Sequence, residues 1–410
     1  MASDKYENPA EEEQNKKLRE DLYQSVIRNE RPKNLKDLGV STLKYLPKSV
    51  GMLQGLMDAV DWKAAQGEVL KGLENTVLIV GRPNTGKSTL FNTIKGASLS
   101  AVSQQAGTTR EIVKADFGPF KLVDTPGVDV VAALPEDVRK GLDQVSVIVF
   151  LIDATRGLQA SDRELYEGLK KLKKPMVVAV NKVDTLPGRA SGDQMAIEVA
   201  VLLDVIGVIP ISAKTGENVA EELIPAIIAA SPEAALVIGH ELPSYRRSAA
   251  QRIIRNSTLL SLAVGIEPIP LVDIPILLGT QIRLVLRLAA LYGEPLDSKD
   301  AMKHARELIV TMAGGLGLRF LAEQLAKAVP FGGDFVAGAI AGAATWSIGQ
   351  VALEYYEGGK KLTGRRIRQL YLEAFRLFRK NNTTDDMRQY ALNGRDEPLL
   401  LTEAKGSGKR

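Results

Sequence analysis

Hydrophobic positions follow two rhythms along this chain. Short, nearly unbroken apolar runs occupy Val77–Val80, Phe120–Val123, 145–152, 175–180 and 208–211. Between them, apolar residues recur three or four positions apart, as in Leu90, Phe91 and Ile94. Apolar runs bounded by Gly, Pro, Asn or Asp predict buried strands, and the wider spacing predicts helices. A further strand is expected over 111–117. Only Gly118-Pro119 joins it to 120–124, too tight a link for a crossover, so that pair should be antiparallel. The other strands are separated by helical stretches and should be parallel. The pattern predicts an α/β domain over 75–232, with a mostly parallel six-stranded sheet and helices on both faces.

After Ala229-Ala230-Ser231-Pro232 the βα rhythm stops. Leu259–Gly279 is strongly apolar but holds Pro268, Pro270, Pro275, Glu267 and Asp273. Proline removes backbone donors and a lone carboxylate in lipid is costly, so two short helices around a Pro-rich turn fit better than one straight span. A second apolar block runs from Leu308 to Leu353, uncharged from Phe335 onward, with Gly338 and Gly342 on one close-packing face. That length approaches the ~20 residues needed to cross a bilayer. A buried hairpin in a helical domain and membrane insertion both remain open for it. These blocks predict an all-α hydrophobic C-terminal domain over 240–360. Over 361–395 a basic amphipathic helix is expected, with Ile367, Leu370, Tyr371, Ala374, Phe375 and Phe378 on one face. It suits an anionic membrane surface or docking on the helical domain with a solvated basic face. Ahead of the sheet, 35–74 predicts short helices interrupted by Pro47 and Gly51. The charged segment 1–34 and the end 396–410 are expected to be disordered.

A length of 410 residues allows two or three domains. Hydrophobic content of 45% and charged content of 25% are those of an ordinary globular protein, and a net charge of +4 selects no partner. The absence of cysteine excludes disulfides and thiolate metal sites. His240 and His304 lie far from the motifs below and are read as surface residues. The first residues have no apolar core after a basic start, so no secretory signal is expected.

The chemistry concentrates at the ends of the predicted strands. Gly81-Arg82-Pro83-Asn84-Thr85-Gly86-Lys87-Ser88-Thr89 lies between an apolar run and a helical pattern. That context makes G-x-x-x-x-G-K-[ST] a phosphate site. Gly81 and Gly86 let successive amides point inward, and the following helix adds its positive dipole end. Lys87 would place an ammonium on the β- and γ-phosphates, and the Ser88 hydroxyl would be a Mg²⁺ ligand. Asn181-Lys182-Val183-Asp184 ends another run, and the Asp184 carboxylate can accept two N–H groups from a guanine edge. Adenine would leave that carboxylate unpaired. Asp124-Thr125-Pro126-Gly127 follows Phe120–Val123; Asp124 could hold Mg²⁺ through water, and the Gly127 amide could meet the γ-phosphate. Ser212-Ala213-Lys214 could close over the base.

Taken together, these residues resemble the Era/TrmE-type branch of translation-factor-related P-loop GTPases over roughly 75–230. Ala106–Glu111 matches the family's switch loop, and the resemblance implies that Thr109, or else Thr108, ligates Mg²⁺ in the GTP state. It implies GTP/GDP and Mg²⁺ as ligands, with Lys87, Thr109, Gly127 and Asn84 serving hydrolysis. Val128 stands where Ras-type enzymes carry a water-orienting glutamine, so slow intrinsic hydrolysis is expected. In the resembled branch a P-loop asparagine can bind K⁺ against the phosphates; Asn84 matches it, and is equally a turn-former beside Pro83.

Glu267–Pro275 and Arg283–Gly293 resemble the YcjF-like hydrophobic helical domain appended to bacterial Era-like GTPases. That implies a switch at the cytoplasmic side of a membrane in a bacterial-type cell or organelle, peripheral or integral through 258–353. The expected partners are guanine nucleotide, a membrane surface or membrane protein, and a second copy in a GTP-dependent dimer. An RNA-directed ribosome-assembly GTPase is the alternative. Gly314–Gly317 has KH-like G-x-x-G spacing but lies in an apolar block without a basic, strand-flanked setting, so nucleic acid is discounted as a partner. A dynamin-like remodelling protein ranks third, because the chain lacks a long helical stalk.

Overall fold

The computed structural model describes residues 60–105, 118–124, 142–264, 273–313 and 333–382. They fall into two compact units. One runs Leu70–Arg252; the other combines the described residues up to Val69 with those from Ile253 onward.

The first unit is built on a parallel sheet of β1 (Thr76–Gly81), β2 (Phe120–Asp124), β3 (Val145–Asp153), β4 (Met176–Asn181) and β5 (Ile209–Ile211). The strand order is β2-β1-β3-β4-β5. Every described pairing is parallel, as the helical spacers require. The described sheet has five strands rather than six; the strand expected over 111–117, and its antiparallel pairing, lie outside the described residues. β1 and β3 are buried along their whole length, which is why they lack alternation in sequence. On one face Leu78, Val80, Ile148, Phe150 and Ile152 pack with Leu165 and Tyr166 of α3 (Ala160–Lys170) and with Val199 and Leu203 of α4 (Arg189–Leu203). On the other, α6 (Pro232–Glu241) packs on β1 and β3.

Local signals set the helix starts. Gln159 and Asp162 form a capping box for α3, where the Gln159 amide donates to Asp162 Oδ2 at 3.0 Å. Ser231 caps α6, accepting from the Ala234 amide at 3.1 Å, with Pro232 at the first helical position. The helix after the glycine loop, α2, runs Lys87–Gln105. A short α5 (Ile224–Ala230) precedes α6.

The second unit is helical. It holds α8 (Asp273–Leu291), α9 (Lys299–Ala313), α10 (Gly333–Glu357) and α11 (Gly364–Asn381), with much of α7 (Arg246–Val264) and α1 (Trp62–Leu73). Along α10, a Cβ built on Gly342 would lie 2.5 Å from Leu262 Cγ, and one on Gly349 would lie 2.7 Å from Ile254 Cγ1. Glycine is what lets α7 approach so closely. Inside this contact Thr345 donates to Ser261 Oγ at 2.8 Å, and Gln281 donates to Thr345 Oγ1 at 3.3 Å. The buried hydroxyls of Ser261 and Thr345 are thereby satisfied. Ile367, Tyr371, Phe375 and Phe378 of α11 are buried, so its apolar face is packed within the protein and its basic face is solvated. Among the described residues no helix is long and apolar enough to cross a membrane.

Candidate nucleotide-binding site

The strand order creates the site. The chain passes from β1 to β2 on one side and then to β3 on the other, so β1 lies at a switch point where a crevice opens at the carboxyl ends of the strands. The register brings those ends together: Gly81 pairs with Asp124, Asp153 with Asn181, and Asn181 with Ile211. The loop after β1 is the glycine loop singled out in the sequence.

Its glycines are required by space and by conformation. A Cβ on Gly81 would sit 2.5 Å from the Leu151 carbonyl oxygen. Gly86 has φ of +95°, and a Cβ there would collide with Asn181 Nδ2. Asn84 is exposed, with φ of 66°, a left-handed turn that asparagine tolerates. Thr85 is buried, its hydroxyl donating to the Arg82 carbonyl at 2.9 Å. Lys87 is 5% exposed; its Nζ donates to the Gly81 carbonyl at 2.9 Å and the Arg82 carbonyl at 2.8 Å. The ammonium is thus held in the hollow of the loop. Ser88 and Thr89 are exposed in the first turn of α2, where helix amides lack intrahelical partners.

Asn181 ties the strand-end loops together. It is buried, donates Nδ2 to the Thr85 carbonyl at 2.8 Å, and accepts at Oδ1 from the Ala213 amide at 2.8 Å. One side chain therefore links the glycine loop to the Ser212-Ala213-Lys214 loop. Next to it, Lys182 adopts φ of 73°, and its Nζ meets Asp153 Oδ2 at 2.7 Å. Asp153 also accepts from the Thr155 amide at 3.0 Å and its hydroxyl at 2.7 Å. Burial alone would push the Asp153 carboxyl up; hydrogen bonds from Lys182 and Thr155 outweigh it and hold the group below the usual carboxylate range. Asp184 sits in the 3₁₀ turn Val183–Thr185, exposed, and accepts from the Ser212 hydroxyl at 2.7 Å. The Ser212 Oγ itself accepts from the Thr215 amide at 3.1 Å. Lys214 is exposed beside the buried Ala213.

Asn84 through Thr89, Asn181, Lys182, Asp184 and Ser212 through Lys214 thus gather along the carboxyl edge of the sheet. Asp124 joins them by the backbone register of β2. Thr109, Gly127 and Val128 lie outside the described residues. Sequence reasoning missed Asp153, which orients Lys182, and Thr93, whose hydroxyl donates to the Ala213 carbonyl. The signal for Asp153 was present: a carboxylate closing an apolar strand at the edge where ligands bind.

Residues 76–182 match the family model described as 50S ribosome-binding GTPase, and residues 233–380 match one described as a domain of unknown function, DUF697. The chain joins an Era/Der-family GTPase domain to a DUF697 domain. GTPase Era of Aquifex aeolicus (strain VF5) is 36% identical over 178 residues, 38% of this chain and 56% of that protein. GTPase Der of Alkaliphilus metalliredigens (strain QYMF) is 44% identical over 119 residues, 27% of each chain. A solved structure described as Era in complex with MgGDPNP and nucleotides 1506–1542 of 16S ribosomal RNA is 26% identical, covers 45% of this chain and 66% of that one, and has a TM-score of 0.29. The chain therefore spans between about a quarter and two thirds of these relatives.

These relatives correct one expectation. Nucleic acid was discounted as a partner because the G-x-x-G segment lacks a KH setting. The family model that residues 76–182 match is described as a 50S ribosome-binding GTPase, so that exclusion does not stand. The physical reason is that one missing base-reading module says nothing about phosphate binding, which needs only cations.

Proposed function

We propose that this protein is a GTP-binding switch of the Era type that hydrolyses GTP to GDP and phosphate. The observation that carries the reading is the single link made by Asn181 between the lysine-bearing glycine loop and the loop that meets Asp184. It places an ammonium and the first turn of α2 at one end of the strand edge and a carboxylate at the other. A triphosphate with a guanine base is the ligand whose charge and donor pair match both ends. Gly86 and Lys87, with Thr85 and Thr89, hold the phosphates. Asp184, supported by Ser212, reads the base; Lys182, Ala213 and Lys214 shape the pocket around it.

The residues fit Mg²⁺: Ser88 offers an exposed hydroxyl in the first turn of α2, and β2 delivers Asp124 beside Gly81. Thr109 completes the set by resemblance. Bound there, the ion would neutralise charge developing on the phosphate oxygens. Val128 cannot orient water, so unaided hydrolysis is slow, and Asn84 is assigned to K⁺ at the phosphates. Equal hydrolysis rates in K⁺ and Na⁺ would remove the K⁺ assignment without touching the rest.

The test is a competition titration on the full chain. GTP should bind with Mg²⁺ and ATP should not displace it, and Lys87→Ala should abolish tight binding. Micromolar GTP affinity retained by Lys87→Ala would sink the phosphate assignment.

The output is assigned to the DUF697 domain, at an anionic membrane surface on its cytoplasmic side. Arg365, Arg366, Arg368, Arg376 and Lys380 are exposed on α11 while Ile367, Tyr371, Phe375 and Phe378 are buried. Attraction would therefore be electrostatic, without insertion. The same face supports a second reading, RNA phosphate, in keeping with the Era complex.

A further inference from the structure

The outward face of α4 departs from the rule that a surface helix is polar where it meets water. Its inner residues Ala196, Val199 and Leu203 are buried against the sheet. Facing away from them, Ile197 is 65% exposed, Val201 75% and Leu202 44%, and Ile206 just beyond the helix is fully exposed. Ile197 and Val201 stand four residues apart, so they form one stripe along the outer midline. Exposed aliphatic residues scattered singly need no explanation; a contiguous stripe does. Around it stand three exposed carboxylates, Asp193, Glu198 and Asp204. Among the described side chains an exposed cation is also placed there: Arg163, whose Nη2 donates to the Leu202 carbonyl at 3.0 Å.

We propose that this face of α4 is a docking site for an amphipathic helix of another protein, with an aliphatic stripe and a lysine- or arginine-rich rim. Charge complementarity selects that occupant. The carboxylates disfavour RNA and anionic lipid, which the basic face of α11 suits instead. A second copy of this chain meeting it through the same face would set Asp193, Glu198 and Asp204 against their own like charges. An aliphatic stripe with cations on both flanks satisfies the midline and the rim together. The position links docking to the nucleotide site, since α4 follows the Asp184 turn and Asp193 lines one cavity with Asp184. The inference does not depend on the GTP reading, because it rests on exposure and charge alone.

The probe is a labelled synthetic helix of leucine-lysine heptads, leucine on one stripe and lysine on both flanks, titrated into the full chain by fluorescence anisotropy. Binding is expected for this peptide and not for its glutamate-flanked counterpart. The double variant Ile197→Asp/Val201→Asp should weaken binding by about tenfold or more, as central apolar contacts do. Both positions are exposed, so the fold should persist, as circular dichroism would show. Glu198→Lys keeps the stripe and should weaken the lysine peptide in a salt-dependent way. Equal affinity of wild type and double variant for the lysine peptide, or equal binding of both peptides, would overturn the proposal. So would sedimentation showing a wild-type dimer that the double variant abolishes, because the occupant would then be a second copy.

Discussion

At the scale of single residues, the carboxyl edge of the sheet is governed by hydrogen bonds that leave few groups idle. Asp184 shares its Oδ1 with the Ser212 hydroxyl, so its orientation is set before any base arrives. Asp184→Asn would present amide donors to guanine's own donors. GTP affinity should fall by about 2–5 kcal/mol, and preference should shift toward xanthosine triphosphate, whose base carries a carbonyl there. Unchanged GTP-over-ATP selectivity in a competition assay would count against the base-reading role. Asp153 acts one step further out, through Lys182. Its folded pKa lies below the ordinary carboxylate value of 3.8, so its stabilising effect is full above about pH 4 and is lost as pH falls through the folded value. Thermal melts of wild type and Asp153→Asn should therefore differ near neutrality and converge in acid. Parallel curves at every pH would show that the ion pair adds no stability.

At the scale of elements, the βα alternation was plain from apolar runs and their spacing, because a parallel strand buried on both faces must be continuously apolar. Asp153 was readable as a strand-end carboxylate, but its partner Lys182, 29 residues away, was not, because no local pattern announces a pair formed by strand register. Gly342 of α10 was legible as part of a close-packing face, but not what it packs against, and Gly349 was not read at all. Gly342→Leu should drive a side chain into Leu262 and destabilise by about 1–3 kcal/mol or more, measured by denaturant midpoint. A midpoint unchanged from wild type would mean the helices separate freely. For α11, the sequence left both lipid and protein open as cover for its apolar stripe, with protein slightly ahead. Burial of Tyr371 and Phe375 decided for protein, because those rings find a packed interior rather than water.

At the scale of the molecule, two units carry opposite surface characters. The GTPase unit offers an acidic, aliphatic helix face on α4, and the helical unit offers a basic one on α11. Co-sedimentation with phosphatidylserine vesicles and with 16S rRNA fragments, each across a salt series, separates the two output readings. The membrane reading expects vesicle binding that falls steeply with salt and is lost in Arg365→Glu/Arg376→Glu. RNA binding alone, lost in the same variant, would assign that face to nucleic acid.

The sequence by itself determined the parallel α/β order, the glycine loop, and the residue types proposed to meet phosphate and base. Those depend on short-range patterns, in which a turn, a run or a motif lies within a few positions. Only the tertiary structure decided that Asn181 clasps two loops, that Asp153 holds Lys182, that α11 buries its apolar face and that α4 leaves one bare. Each of these is a choice of partner across distance, and water, unlike chain neighbours, leaves no trace in the order of residues.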